Sequence, residues 1–195
     1  QWVHDGIGDL ADRWPDRPTA IVAYDLDERV RVPFGMETAP DVSIADAVAA
    51  SSAVPFVYEP MAIGGHWYAD GGLASGTSLD LILGHPEPLD LVIVLAPFAA
   101  TAPRRGGRMY EDMFDRVGRK ALSGELATVR ERWPDTDVVV LRPTEMVLEH
   151  ARPNPMSAAA AVPTFIATLR SMHRQLARGS VWSVLERHLG AAVKT

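Results

Sequence analysis

The sequence contains no cysteine, which excludes disulfides, thiolate metal sites and a cysteine nucleophile. It has no basic surplus: 19 Lys and Arg against 25 Asp and Glu leave a net charge of −6. That argues against a broad nucleic-acid surface, which depends on clustered cations neutralising phosphates. No apolar run approaches the roughly 20 residues that cross a bilayer. The opening Gln1-Trp2-Val3-His4-Asp5 lacks the basic start and apolar stretch of a signal peptide. No methionine precedes Met36, and we read the chain as one that is processed, cut or preceded by an upstream segment. A literal Gly-x-Ser-x-Gly, the sharp turn that presents a serine nucleophile in many hydrolases, occurs nowhere.

What is present reads as a globular protein with a core: 195 residues, 47% hydrophobic and 23% charged. No internal repeat, low-complexity tail or linker divides the chain, so residues 1–195 are expected to form a single domain. "HDGIGDLADRW" places Ile7, Leu10, Ala11 and Trp14 on one helical face before Pro15 and Pro18. "TAIVAYDL" reads as a buried strand and "RVRVPF" as its hairpin partner, with Asp27-Glu28 at the turn. Ser43 is a helix cap, Ile44, Ala47, Val48 and Ser51 share a face, and Pro55 ends the helix. "HWYADGG" is a short strand ending in a glycine turn, and a helix capped by Ser78 is expected after it. "LDLVIVLAPF" reads as a central strand covered on both faces. Residues 108–132 read as a helix, "DTDVVVLRP" as a buried strand and residues 157–189 as two helices broken near Gly179. Strands alternating with helices make the fold class α/β.

Asp70-Gly71-Gly72 closes a predicted strand. A carboxylate there could be a general base, since ligands bind beyond strand ends and glycines let backbone approach closely. An ordinary strand-ending turn has the same composition. Gly76-Thr77-Ser78 begins like a nucleophile turn, but Asp80 stands where the second glycine belongs; an enzyme pairing Ser78 with Asp70 is one reading and a helix cap the other. Asp25-Leu26-Asp27 offers clustered oxygens for a cation, or simply solvated carboxylates at a hairpin. Arg104, Arg105 and Arg108 could hold a phosphate or anionic headgroup, or line a solvated loop. The six histidines show no paired metal spacing, and no metal or cofactor is expected. His66, four residues before Asp70, is expected near that site or at a strand edge. Phe56, Val57, Tyr58, Met61, Trp67 and Tyr68 suit an acyl-chain groove or a core.

The longer context adds a resemblance. "ADAVAASSAVPFVYEPMAIGGHWYADGG" resembles the second half of the patatin-like phospholipases, in which a helix of the type A-x-A-A-S-x-A-x-P precedes a strand that delivers Asp-Gly-Gly. Here the helix end is Ala49-Ala50-Ser51-Ser52-Ala53-Val54-Pro55. The upstream "WPDRPTAIVAYDLDERVRVPFG" and the later "LDLVIVLAP" and "ARPNPMSAAAA" also resemble family segments. The resemblance implies a layered sheet with helices on both faces. It also implies lipid ester hydrolysis by a Ser–Asp dyad, with Asp70 taking the serine's proton directly. Gly71, Gly72, Ser51, Ser52 and Pro55 would shape that site. The family's glycine-rich oxyanion loop and serine turn precede the segment matched here, so both are expected in an N-terminal segment or a separate chain that completes the site. The implied partner is a lipid or other ester, with peripheral membrane contact compatible with it. The competing reading is a non-catalytic lipid-binding or regulatory protein that lost the nucleophile.

Overall fold

The computed structural model describes residues 5, 6, 8, 11, 13–101, 109–151 and 158–192. Ile7 and Leu10 of the first expected helix lie outside the described residues, as do Arg104, Arg105 and Arg108 and most of "ARPNPMS". The chain forms two compact units, Gln1–Ser75 and Gly76–Thr195.

The first unit is built on an antiparallel sheet. Strands β1 (Ile21–Asp25) and β2 (Val30–Phe34) form the expected hairpin, with Ile21 opposite Phe34 and Asp25 opposite Val30. Strands β3 (Met61–Ile63) and β4 (His66–Asp70) form a second hairpin, turning through Gly64 and Gly65 at φ 58° and 91°. Such angles suit glycine, which has no Cβ to clash. The strand order is β2-β1-β4-β3. Pro33, which has no N–H to donate, sits on the edge strand β2, where proline is tolerated in a sheet.

Helix α1 (Ile44–Ser51) starts where expected, with the Ser43 hydroxyl accepting the Asp46 N–H at 3.1 Å and donating to the Asp46 carboxylate at 2.9 Å. It ends at Ser51, ahead of Pro55. Ile44 and Ala47 of the expected face are buried, Val48 and Ser51 are half-buried, and Ala45 and Ala50 join the core. Ala47 and Ala50 pack with Ala23, Phe34 and Tyr68, and the Phe34 and Tyr68 rings meet edge to face at 5.2 Å.

The second unit is a parallel pair, β5 (Leu91–Leu95) and β6 (Asp137–Leu141), joined through helix α2 (Met109–Arg132). Parallel neighbours need such a crossover. Leu122, Leu126 and Val129 of α2 cover Val92 and Val94 on one face. Beyond the short α3 (Glu145–His150), helices α4 (Ala158–Leu176) and α5 (Gly179–Ala192) bring Met172, Leu176 and Leu185 onto Leu91, Val139 and Leu141 of the other. The expected layered α/β arrangement with helices on both faces is therefore present here.

One expectation for β5 fails. Ile93 and Leu95 are 49% and 61% exposed, so the strand is not covered on both faces. Its only partner among the described residues is β6, and the C-terminal helices reach Leu91 but not the two side chains beyond it. The helix expected after Ser78 is a 3-10 segment, Leu79–Gly84, and the Ser78 side chain does not cap it. The buried Glu125 does that work from α2, its Oε2 accepting the Leu79 N–H at 3.0 Å and the Thr77 hydroxyl at 2.7 Å.

Two donors on one buried carboxylate should make Glu125 a stability determinant, since bonds to a charged acceptor contribute about 1.5–3 kcal/mol each. Glu125→Ala is expected to lower the urea-unfolding free energy by about 2–3 kcal/mol, and Glu125→Gln, which keeps an acceptor, by less. An unchanged midpoint in Glu125→Ala would contradict the capping role.

Candidate functional site

Asp70 is the last residue of β4 and stands opposite Ala23 of β1. Its own N–H donates to the Ala53 carbonyl at 3.0 Å, which ties the segment leaving α1 to the end of β4. The chain then leaves the sheet in a 3-10 turn, Gly71–Leu73. The Gly72 N–H donates to Asp70 Oδ1 at 2.7 Å and fixes the carboxylate's direction. Burial pushes the Asp70 carboxyl above its ordinary value, and the single Gly72 bond pulls it back only in part. A half-buried carboxylate that holds its proton more tightly than a solvated one is a better base when ionised.

The two glycines are required by space. A Cβ on Gly71 would lie 2.5 Å from the Val22 carbonyl oxygen, and one on Gly72 would lie 2.9 Å from Asp70 Oδ1. Ser51, at the end of α1, donates its hydroxyl to the same Val22 carbonyl at 2.8 Å. The helix end thus meets the end of β4 through the Ala53 carbonyl on the Asp70 N–H, and Ser51 meets the strand beside it through Val22. Ser52 closes α1 with its backbone N–H on Val48. Pro55 lies in a turn where the Val54 carbonyl accepts the Val57 and Tyr58 N–H groups. Neither has a hydrogen bond to Asp70 among the described residues.

Of the apolar group read as groove or core, Tyr68 is buried, Met61 is half-buried, and Phe56, Val57, Tyr58 and Trp67 are exposed. Phe56 is fully exposed and sits at φ 68°, an unfavourable angle for a residue with a bulky side chain. Ser78 lies in the second unit, in the left-handed region at φ 46°.

His66 takes the second of its two expected places, at a strand end, and the expectation for Asp25 needs correction. His66 opens β4 and is separated from Asp70 by the length of the strand, roughly 13 Å at 3.3 Å per residue. Its carboxylate neighbour is instead Asp25, with His66 Nδ1 2.9 Å from Asp25 Oδ2. Asp25 itself is not a solvated hairpin residue: it is only 3% exposed. Burial alone would raise its carboxyl. The N–H groups of Glu28 and Asp27, each 2.9 Å from Oδ1, together with His66, hold it below the usual value. The signal for this grouping was the pairing of β1 with β4, a long-range register that strand periodicity alone does not reveal.

Gly71→Ala should therefore destabilise the protein by more than about 2 kcal/mol, because the obstructing atom is backbone in the middle of the sheet. Gly72→Ala should cost less, because the obstructing atom is a side-chain oxygen that can rotate, at the expense of the bond that holds Asp70. Thermal unfolding of the two variants tests that order, and equal losses would contradict it.

Residues 4–83 match the family model for patatin-like phospholipase. No curated protein matches the chain. The matched span holds α1, β4 and Asp70-Gly71-Gly72, and over those residues the chain is similar to the patatin-like phospholipases.

Proposed function

We propose that this chain supplies the general base of a lipid acyl hydrolase, with Asp70 in that role. The observation that carries the reading is the state of the Asp70 carboxylate: aimed by Gly72, raised by burial, and set at a strand end within the family-matched residues. A serine hydroxyl is a poor nucleophile until a base within hydrogen-bond reach takes its proton. An aspartate held by one N–H and otherwise partly desolvated suits that task.

The 195 residues contain no Gly-x-Ser-x-Gly, so the nucleophile and its oxyanion donors belong, on this reading, to sequence outside them or to a separate chain. These residues alone would then be inactive. The substrate class is a lipid carboxylic ester. The exposed Phe56, Val57, Tyr58 and Trp67 suit shallow contact with a lipid surface, where amphipathic aromatic rings are favoured.

The test uses the intact native protein, with fluorophosphonate labelling and ester turnover as readouts. Asp70→Asn is expected to lower both by about 100-fold or more, in the range that general-base loss commonly costs. Full labelling and turnover in Asp70→Asn would remove Asp70 from the mechanism. Vesicle binding without any ester turnover would favour the non-catalytic lipid-binding reading.

The same variant has a stability signature. A carboxyl whose folded pKa lies above its unfolded value stabilises the fold at acid pH, and that contribution is lost as pH rises through the folded value. Asn keeps a carbonyl for the Gly72 N–H but never ionises. Asp70→Asn should therefore be at least as stable as the wild type at pH 7, with the difference closing towards pH 3. A variant markedly less stable at pH 7 than at pH 3, relative to the wild type, would contradict the raised carboxyl.

A further inference from the structure

We infer that Asp25, Asp27 and His66 form a binding site for one divalent transition-metal ion that fastens the β1–β2 turn to the start of β4. The site is independent of the hydrolase reading, because it lies at the opposite end of β4 from Asp70.

The register creates the grouping. Asp25 stands opposite Tyr68, and the Leu26 N–H donates to the Trp67 carbonyl at 2.8 Å. In the turn that follows, Asp27 Oδ2 accepts the Trp67 N–H at 2.8 Å, which brings its carboxylate to the start of β4. One donor atom from each of Asp25, Asp27 and His66 lies within 4.8 Å of the other two. Donors bound at roughly 2.0–2.2 Å from a metal stand about 3–4 Å apart, so a rotation of the exposed Asp27 gathers the set.

The second observation is His66 Nδ1. It is fully buried, and among the described residues it has no hydrogen-bond partner, although Asp25 Oδ2 is 2.9 Å away. The two atoms are close without being aligned for a hydrogen bond. A buried ring nitrogen left unpaired is costly. A cation shared by the nitrogen and the carboxylate removes that cost, and the binding step releases the Nδ1 proton where that tautomer is present.

The surroundings fit the same role. Asp25 Oδ1 is held by the Asp27 and Glu28 N–H groups, which turns Oδ2 towards His66. The Tyr68 hydroxyl also bonds to the Asp25 carboxylate. Asp27 Oδ2 accepts the Trp67 N–H at 2.8 Å, which leaves Oδ1 for an ion. Such supporting bonds orient ligands and tune affinity. Asp25 and His66 line an open cleft of about 580 Å³, with Glu28 and Arg31 also on its wall, so water can complete the coordination shell. Two carboxylates balance a dication, and the imidazole nitrogen favours zinc-like ions over calcium or magnesium, which prefer oxygen alone.

The experiment uses full-length protein stripped with a chelator and titrated with Zn²⁺ by calorimetry. Thermal unfolding is followed with and without the ion, and Co²⁺ serves as a visible-absorption probe of the ligand set. We expect one ion per chain, a raised unfolding temperature, and a Co²⁺ spectrum of mixed nitrogen and oxygen ligands. His66→Gln and Asp27→Asn should each weaken Zn²⁺ binding about tenfold or more. Both should keep the unfolding transition of the metal-free wild type. His188→Gln, which removes the imidazole paired with Asp137 in the second unit, should leave binding unchanged. Absence of saturable binding at one equivalent, or unchanged affinity in His66→Gln, would overturn the assignment.

Discussion

The first unit is organised around one backbone carbonyl, that of Val22. The Ser51 hydroxyl reaches it from the end of α1, and Gly71 passes so close that a single added carbon would collide with it. This approach is available only because the residues between helix and sheet are small. Ala23, Ala47 and Ala50 are fully buried there, and Ala53 follows with its carbonyl on the Asp70 N–H. Larger side chains would lift the helix, break the Ser51 bond and free the Ala53 carbonyl. Tightly packed interiors relax little around added volume, so such a change would displace the end of β4 rather than be absorbed. The position of Asp70 is therefore set by alanines and a serine that never touch its carboxylate.

Two carboxylates in this one sheet show how local donors outweigh depth. Asp25 is the more deeply buried, yet its carboxyl is held below the usual value. Asp70 is only half-buried, yet its carboxyl is raised. The difference lies in the partners. Asp25 accepts two backbone N–H groups and has His66 beside it, whereas Asp70 accepts one N–H and has no ion-pair partner among the described residues. Hydrogen bonds to the ionised form and a neighbouring positive charge favour ionisation, and desolvation opposes it. The partners thus favour the ionised form at Asp25, and burial favours the protonated form at Asp70.

The local elements were legible in the sequence because short-range chemistry decides them. The alternation in "RVRVPF", the Ser43 cap and the glycine break near residue 179 each predict an element that the structure contains. What could not be read depends on register and on neighbours distant in sequence. The burial of Asp25 and its meeting with His66 follow from β1 pairing with β4 across some forty residues. The exposure of Ile93 and Leu95 follows from which helices reach β5, not from the apolar run itself. An apolar run reads as a doubly covered strand, but coverage is a property of the assembly of elements. The Asp70 site was legible only as a pattern of residue types; its carboxylate environment required the fold.

Ser78 illustrates how far a strained backbone should be trusted as a sign of function. A non-glycine residue in the left-handed region is the kind of feature that marks active sites, and Gly76-Thr77-Ser78 has the start of a nucleophile turn. In such a turn the N–H of the residue after the serine helps to hold the developing oxyanion. Here that residue is Leu79, and its N–H is already donated to the carboxylate of Glu125 at 3.0 Å. A negative charge occupies the place where a second would have to form, and the two would repel rather than stabilise. No strand leads into Ser78, and a 3-10 segment rather than an α-helix leaves it. The strain at Ser78 therefore belongs to the entry into Leu79–Gly84, held by the Thr77 and Leu79 bonds to Glu125.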